Sequence, residues 1–343
     1  MMEKNRSILI IYTGGTIGMV NDPVSGTLVP IDFRHISNQV PELRRFGFSL
    51  ETITFDPVID SSEVSPDTWV HIAKTIEENY ARFDGFVVLH GTDTMSYSAS
   101  ALSFMLQGLE KPVIFTGSQL PIGVLRTDGK ENLLTAIEIA AATGDGLPMV
   151  PEVCIFFGSR LFRGNRTIKY SAEHFNAFAS PNLPPLAEAG LQIRYNRSII
   201  RHPTVRRPLM VSDNIETAVA VLRLFPGIRQ ETVHTLLTQA GLKGIILETY
   251  GTGNAPMSGW FLEELRSFIS GGGIVLNVTQ CQAGSVEMGL YKTSAGLISA
   301  GVISGRDLTT EAAVTKMMVL LGRGLPEGKV SNLLSMSICG EIS

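Results

Sequence analysis

Three cysteines in 343 residues are too few and too scattered to form a framework. Cys154, Cys281 and Cys339 make no Cys-x-x-Cys pair, which leaves no support for a zinc ribbon or a dithiol redox motif. Such sparing use fits a reducing compartment. Charge is scarce too. Charged residues are 17% of the chain, sum to −4 and form no basic stripe, so no nucleic-acid partner is expected. Long apolar runs are also missing, and none reaches the length of a membrane span. Lys4 and Arg6 precede an apolar run that ends at Gly14. That run sits at or below the lower limit of a signal-peptide core, and no clean small-residue cleavage site follows it. The expectation is a soluble, cytoplasmic protein with no membrane partner.

What the chain does have is apolar bulk. Hydrophobic residues make up 44% of it, enough for sizeable cores. At 343 residues two domains are expected, each of roughly 100–200 residues. Ile8–Tyr12 reads as a buried strand that stops at Thr13-Gly14-Gly15-Thr16, where two glycines permit a tight turn and close backbone approach. Phe86–Leu89 repeats the design and runs into His90-Gly91-Thr92-Asp93-Thr94, adding a carboxylate. Hydroxyls at the carboxyl ends of buried strands stand where open α/β sheets bind ligands.

Between these stretches, Asn21 to Pro30 has the composition of a surface loop and is placed to act as a lid or a plain connector. Residues 52–59 alternate as a strand and run into Asp60-Ser61-Ser62-Glu63. Ser65, Pro66 and Asp67 then start a helix whose apolar face carries Trp69, Ile72, Ala73, Ile76, Tyr80 and Phe83. Further helices are read over 98–106 and 131–142, and strands over 113–116 and 153–157. Alternating helices and near-continuous apolar strands indicate a mainly parallel sheet covered on both faces. Arg194 to Pro208, polar, basic and bearing two prolines, is where the interdomain linker is read. Beyond it lies a shorter array, with strands near 218–224, 244–248 and 274–278 and helices near 231–239, 260–269 and 311–321. The fold expected is α/β: a larger N-terminal, mainly parallel-sheet catalytic domain over 1–200, a linker over 201–212 and a smaller C-terminal α/β domain over 213–343.

A threonine hydroxyl is a poor nucleophile until a group accepts its proton. A desolvated lysine can serve, since burial disfavours its charged form. Asp93 is placed to orient such a lysine while Thr92 relays a proton, and backbone N–H groups at the glycine turns can hold an oxyanion. The inventory suits attack on an amide or ester carbonyl through an acyl-enzyme. Spacing alone does not say which lysine takes part.

Residues 12–18 and His90-Gly91-Thr92-Asp93-Thr94-Met95 together resemble the two signature motifs of the asparaginase family, with most similarity to its type I, cytoplasmic branch. The resemblance continues through 60–62, 116–119, 163–169, 179–185 and 251–256, and so covers nearly the whole chain in order. It implies hydrolysis of L-asparagine to L-aspartate and ammonia, with no cofactor and no metal, in a homodimer or homotetramer. It implies that Thr16 is the nucleophile and that Thr92, Asp93 and Lys169 form a second, proton-transferring group. Gly15, Ser61, Ser62, Asp93, Ser118 and Asn254 are implied to bind substrate, Ser61 at the α-carboxylate, Asp93 at the α-amino group and Asn254 from the second domain. Plain structural roles compete at each: helix caps for the threonines, turn residues for the serines, a surface position for Lys169. His90 reads as a hydrogen-bonded structural histidine rather than a base, and Arg163 and Arg166 as structurally paired rather than anion-binding.

Two departures stand out. Many relatives carry a tyrosine on the lid after the first motif, and none lies between Val20 and Pro30 here; Tyr291, in a glycine-rich loop, is the alternative. Some type I members have an arginine in an asparagine effector site, where this chain has Glu248, which argues against allosteric activation. Two rivals to the reading are a glutaminase or amidotransferase subunit, separated from an asparaginase by one methylene of substrate, and a non-catalytic amino-acid-binding protein.

Overall fold

The computed structural model describes residues 6–21, 28–30, 40–289 and 292–343. The chain divides into two compact units, Met1–Val211 and Ser212–Ser343.

The larger unit is built on an eight-stranded sheet. Five strands run parallel: Ser7–Tyr12, Ser49–Thr54, Gly85–Leu89, Val113–Thr116 and Val153–Phe157. Four of these are apolar and buried almost throughout, because helices cover both faces. The fifth, Ser49–Thr54, is a half-exposed edge strand. In space the parallel strands stand in the order second, first, third, fourth, fifth. The chain therefore reverses its winding between Ser7–Tyr12 and Gly85–Leu89. A doubly wound sheet opens its ligand crevice at such a reversal, at the carboxyl ends of the strands. Both glycine-threonine motifs leave the sheet there.

The helix Pro66–Asn79 forms where its capping signals place it, with the Ser65 N–H donating to Thr68 Oγ1 at 3.3 Å. Trp69, Ile72, Ala73 and Ile76 are its buried face. The helix expected over 98–106 begins earlier, at Met95, directly after the second motif. The helix expected from residue 131 begins at Gly129 with Asp128 at its cap. The strand expected over 52–59 is Ser49–Thr54, ending before Asp56-Pro57. The remaining three strands, Arg160–Arg163, Ala187–Ala189 and Ile193–Tyr195, are antiparallel and were not legible as strands. The two ends of the expected lid, Asn21 to Pro30, take part in a short antiparallel ladder of Met19–Asn21 on Leu28–Pro30; its middle, 22–27, lies outside the described residues.

The smaller unit has an all-parallel sheet of Val219–Arg223, Gly244–Thr249, Ile274–Thr279 and Ile303–Ser304. Helices Gln230–Leu237, Gly259–Ser270, Lys292–Ser299, Thr310–Gly322 and Glu327–Ser335 accompany it. Lys292–Ser299 and Glu327–Ser335 go beyond the sequence reading. Phe261, Leu265, Leu247 and Val275 lie at its core. Both units are α/β, as expected.

Candidate active site

Three turns interlock through their main chains at the reversal point. Gly15 has φ +89°, and a Cβ there would fall 2.5 Å from Gly91 N and 2.6 Å from Gly91 Cα. A Cβ on Gly91 would fall 2.5 Å from Ser61 Oγ. Only glycine lets the backbones meet this way. Thr13 fastens the first turn to the second, with N–H and hydroxyl both donating to Leu89 O, at 3.0 and 2.9 Å. The Ile59 N–H donates to Thr13 O at 2.7 Å and ties in the third.

Thr16 opens a short 3-10 turn, Thr16–Gly18, and is half-buried above a buried Ile17. Its hydroxyl has no hydrogen-bond partner among the described residues. Tyr291 lies outside the described residues.

Thr92 is half-buried and Lys169 reaches it across 77 positions of sequence: Nζ donates to Thr92 Oγ1 at 3.0 Å and pairs with Asp93 Oδ1. The Lys169 side chain is 18% exposed and that of Asp93 62%, so the pair closes the site on one side and opens to solvent on the other. The short ladder of Ile168–Lys169 on Phe178–Ala179 positions the lysine. The Thr92 hydroxyl donates onward to Gln119 Oε1 at 3.3 Å. The structure thus brings together the three residues of the expected second group.

Ser61 is buried and its carbonyl accepts from Thr94 Oγ1 at 2.7 Å. Ser62 is exposed; its N–H and hydroxyl donate to Asp60 Oδ1 at 2.9 and 2.8 Å, and these two bonds hold the Asp60 carboxyl below its ordinary range. Its proton being used, the Ser62 oxygen faces a ligand chiefly as an acceptor. Ser118 is 2% exposed and its hydroxyl donates to Leu120 O at 2.5 Å, an internal bond. Asn254 belongs to the smaller unit, in a turn after Gly244–Thr249 where its N–H donates to Tyr250 O at 2.8 Å.

Sequence reasoning missed Asp128. Its carboxylate accepts the N–H groups of Gln119 and Leu120 and the Asn132 amide, and so fixes the segment that carries Gln119. The available signal was an Asp directly before a helix. It also missed that Gln119 bridges, with Nε2 donating to Ala172 O and His174 O at 3.3 and 3.2 Å.

His90 is 1% exposed; Nδ1 lies 2.7 Å from Gly91 O and Nε2 lies 2.9 Å from Ser98 Oγ. Burial pushes its pKa down to about 4, so it stays neutral. Arg163 is buried against Glu152, with Nε to Oε2 at 2.5 Å, and Arg166 Nη2 donates to Asn182 O at 3.2 Å. All three have structural partners. Among the described residues no His, Cys, Asp and Glu side chains gather as a metal site, and no helix is long and apolar enough to cross a membrane.

The backbone N–H groups of Gly15 and Thr92 have no protein acceptor among the described residues. A half-buried hydroxyl, a hydroxyl–lysine–carboxylate chain and unengaged N–H groups together can attack a carbonyl, move a proton and hold an oxyanion.

A family model described as the asparaginase N-terminal domain matches residues 7–201, and one described as the glutaminase/asparaginase C-terminal domain matches residues 218–334. The chain is 44% identical to L-asparaginase 1 of Escherichia coli strain K12, over all of this chain and 99% of that protein. It is 41% identical to a 60 kDa lysophospholipase of Mus musculus, over all of this chain and 63% of that protein. The crystal structure of L-asparaginase I from Vibrio cholerae superposes with a TM-score of 0.90 at 41% identity, over 99% of this chain and all of that one.

Proposed function

The chain belongs to the asparaginase family, and from that premise we propose that it hydrolyses L-asparagine to L-aspartate and ammonia, with Thr16 as nucleophile. The observation that carries the reading is the contact of Lys169 with both Thr92 and Asp93, next to the Gly15–Gly91 junction that presents Thr16.

Thr16 Oγ attacks the side-chain amide carbon and gives up its proton. The oxyanion that forms is held by the N–H groups of Gly15 and Thr92, an effect worth roughly 3 kcal/mol per donor. The C–N bond breaks, the nitrogen takes a proton and ammonia leaves. Water then attacks the aspartyl ester and restores Thr16. Thr92, Lys169 and Asp93 pass the protons. Asp93, largely exposed, meets the substrate α-ammonium, and the Ser61 turn meets the α-carboxylate. Ser62 and Ser118 complete the pocket. The enzyme works in the cytoplasm as a homodimer or homotetramer.

The test is ammonia release from L-asparagine and L-glutamine, side by side, for the wild type and Thr16→Ala. Asparagine turnover that falls by about 10³-fold or more in the variant supports the reading. A folded wild type that turns over neither amide, or a Thr16→Ala protein with ordinary activity, ends it. Sedimentation as a clean monomer ends the oligomer proposal.

A further inference from the structure

A buried chain of hydrogen bonds ends on the peptide that carries the Thr92 N–H. Trp69 Nε1 donates to Ser98 Oγ at 3.0 Å, Ser98 Oγ lies 2.9 Å from His90 Nε2, and His90 Nδ1 lies 2.7 Å from Gly91 O. Trp69, Ser98 and His90 are 6%, 0% and 1% exposed. An indole N–H only donates and a carbonyl only accepts, so the two ends fix the direction of every bond between them. The Trp69 N–H occupies a Ser98 lone pair. Ser98 must then donate to Nε2, which is bare, and Nδ1 carries the imidazole proton and donates to Gly91 O. No other neutral arrangement satisfies all four groups.

The consequence lies one bond further on. Gly91 C=O and Thr92 N–H belong to one peptide unit, which is trans, and in a trans peptide the two point in opposite directions. Gly91 has no side chain to hold that plane, and a Cβ there would strike Ser61. Pinning the carbonyl to the buried imidazole aims the Thr92 N–H away from the core, on the half-buried side where it has no protein acceptor among the described residues.

We propose that His90 is a positioning residue for the amide-hydrolysis step: through the Trp69–Ser98–His90 chain it locks the Gly91–Thr92 peptide so that the Thr92 N–H is preorganised as an oxyanion donor. The inference rests on the amidohydrolase reading of the site. His90 is 1% exposed, and its two ring nitrogens are engaged with Gly91 O and Ser98 Oγ. A histidine in a catalytic motif therefore acts as a neutral donor to a carbonyl and moves no proton.

The experiment compares His90→Leu, His90→Asn and Ser98→Ala in steady-state turnover of L-asparagine, with circular dichroism and melting as fold controls. His90→Leu removes the donor, and kcat falls about 10- to 100-fold with KM little changed, since a misaimed oxyanion donor acts on the transition state. His90→Asn returns an N–H close to the Nδ1 position and recovers at least half of that loss on a logarithmic scale. Ser98→Ala, the variant that carries the test should His90→Leu not fold, frees the tautomer and lowers kcat several-fold. Wild-type kcat in folded His90→Leu, or an Asn variant as slow as the Leu variant, overturns the proposal. A readout independent of turnover is the imidazole ¹⁵N spectrum of histidine-labelled wild type: Nδ1 protonated and Nε2 bare are expected, and the reverse tautomer overturns the proposal. A wild type inert toward asparagine sinks the functional reading instead. The ¹⁵N signature then still tests the chain of bonds.

Discussion

At the scale of single residues, the site depends on atoms that are missing. Gly15 and Gly91 abut because neither has a Cβ, and Ser61 sits against Gly91 for the same reason. Gly91→Ala would set a methyl 2.6 Å from Ser61 Cβ and push the Ser61 turn outward. The expected result is a KM for asparagine raised about tenfold or more, with a cost in stability on the order of 1–3 kcal/mol; an alanine variant with wild-type KM would show that Ser61 does not face the substrate. His90 makes a second prediction, in pH. Its folded pKa of about 4 lies below the ordinary 6.5, so between these values the unfolded chain binds more protons than the native one. Stability from this group is therefore complete above pH 6.5 and is lost as the pH falls towards 4, by on the order of 3 kcal/mol in total. His90→Asn, which does not titrate, should flatten that part of the pH–melting curve. Parallel curves for the two proteins would remove His90 as the cause.

Among the elements, legibility follows burial on both faces. Val113–Thr116 and Val153–Phe157 are read from sequence to the residue because every side chain is apolar or nearly so. Ser49–Thr54 is an edge strand bearing Ser49, Glu51, Thr52 and Thr54, and its alternating pattern runs on past the point where pairing ends. Arg160–Arg163 is concealed by the arginines at both its ends. It belongs in the sheet because Arg163, 5% exposed, meets Glu152 through two nitrogens and also donates to Ile199 O, while the Arg201 N–H donates to Glu152. No local pattern announces an ion pair that closes a hairpin onto a later loop. Lys169 is similarly unreadable from spacing, since its partner Asp93 is 76 positions away; only the resemblance singled it out. The hairpin yields its own prediction. Arg163→Met strands a buried carboxylate and should cost about 3–5 kcal/mol, whereas Arg163→Met with Glu152→Leu should recover most of that loss, leaving the Ile199 carbonyl and Arg201 N–H to find other partners. Additive losses in the double variant would mean that the two side chains do not act as a pair.

Across the whole molecule, the chemistry described above lies in the larger unit, at the reversal of strand order among its described parallel strands, and the all-parallel sheet of the smaller unit has no such reversal among its described strands. What the smaller unit offers instead is a pair of carboxyl groups, Glu248 near the end of Gly244–Thr249 and Glu311 in the first turn of Thr310–Gly322. Glu248 is 7% exposed; its Oε1 accepts from Thr310 Oγ1 at 2.5 Å and its Oε2 pairs with Arg223 Nη1 at 3.3 Å. The Glu311 carboxyl is pushed upward in pKa, chiefly by burial and also by the charge of Glu248. An effector amino acid brings its own α-carboxylate, and an arginine is the side chain that receives one in a bidentate grip. Here the corresponding place presents two carboxyl groups, and the nearby guanidinium of Arg223 is already engaged with one of them. A second asparagine placed there would meet repulsion at close range in a partly desolvated site, where charge interactions are stronger than in water. Initial rates should therefore rise hyperbolically with asparagine from far below to far above KM, and Glu248→Gln should leave that form unchanged. A sigmoidal curve for the wild type would mean that the smaller unit binds its effector through other residues, and that the loss of an arginine at this place does not by itself decide regulation.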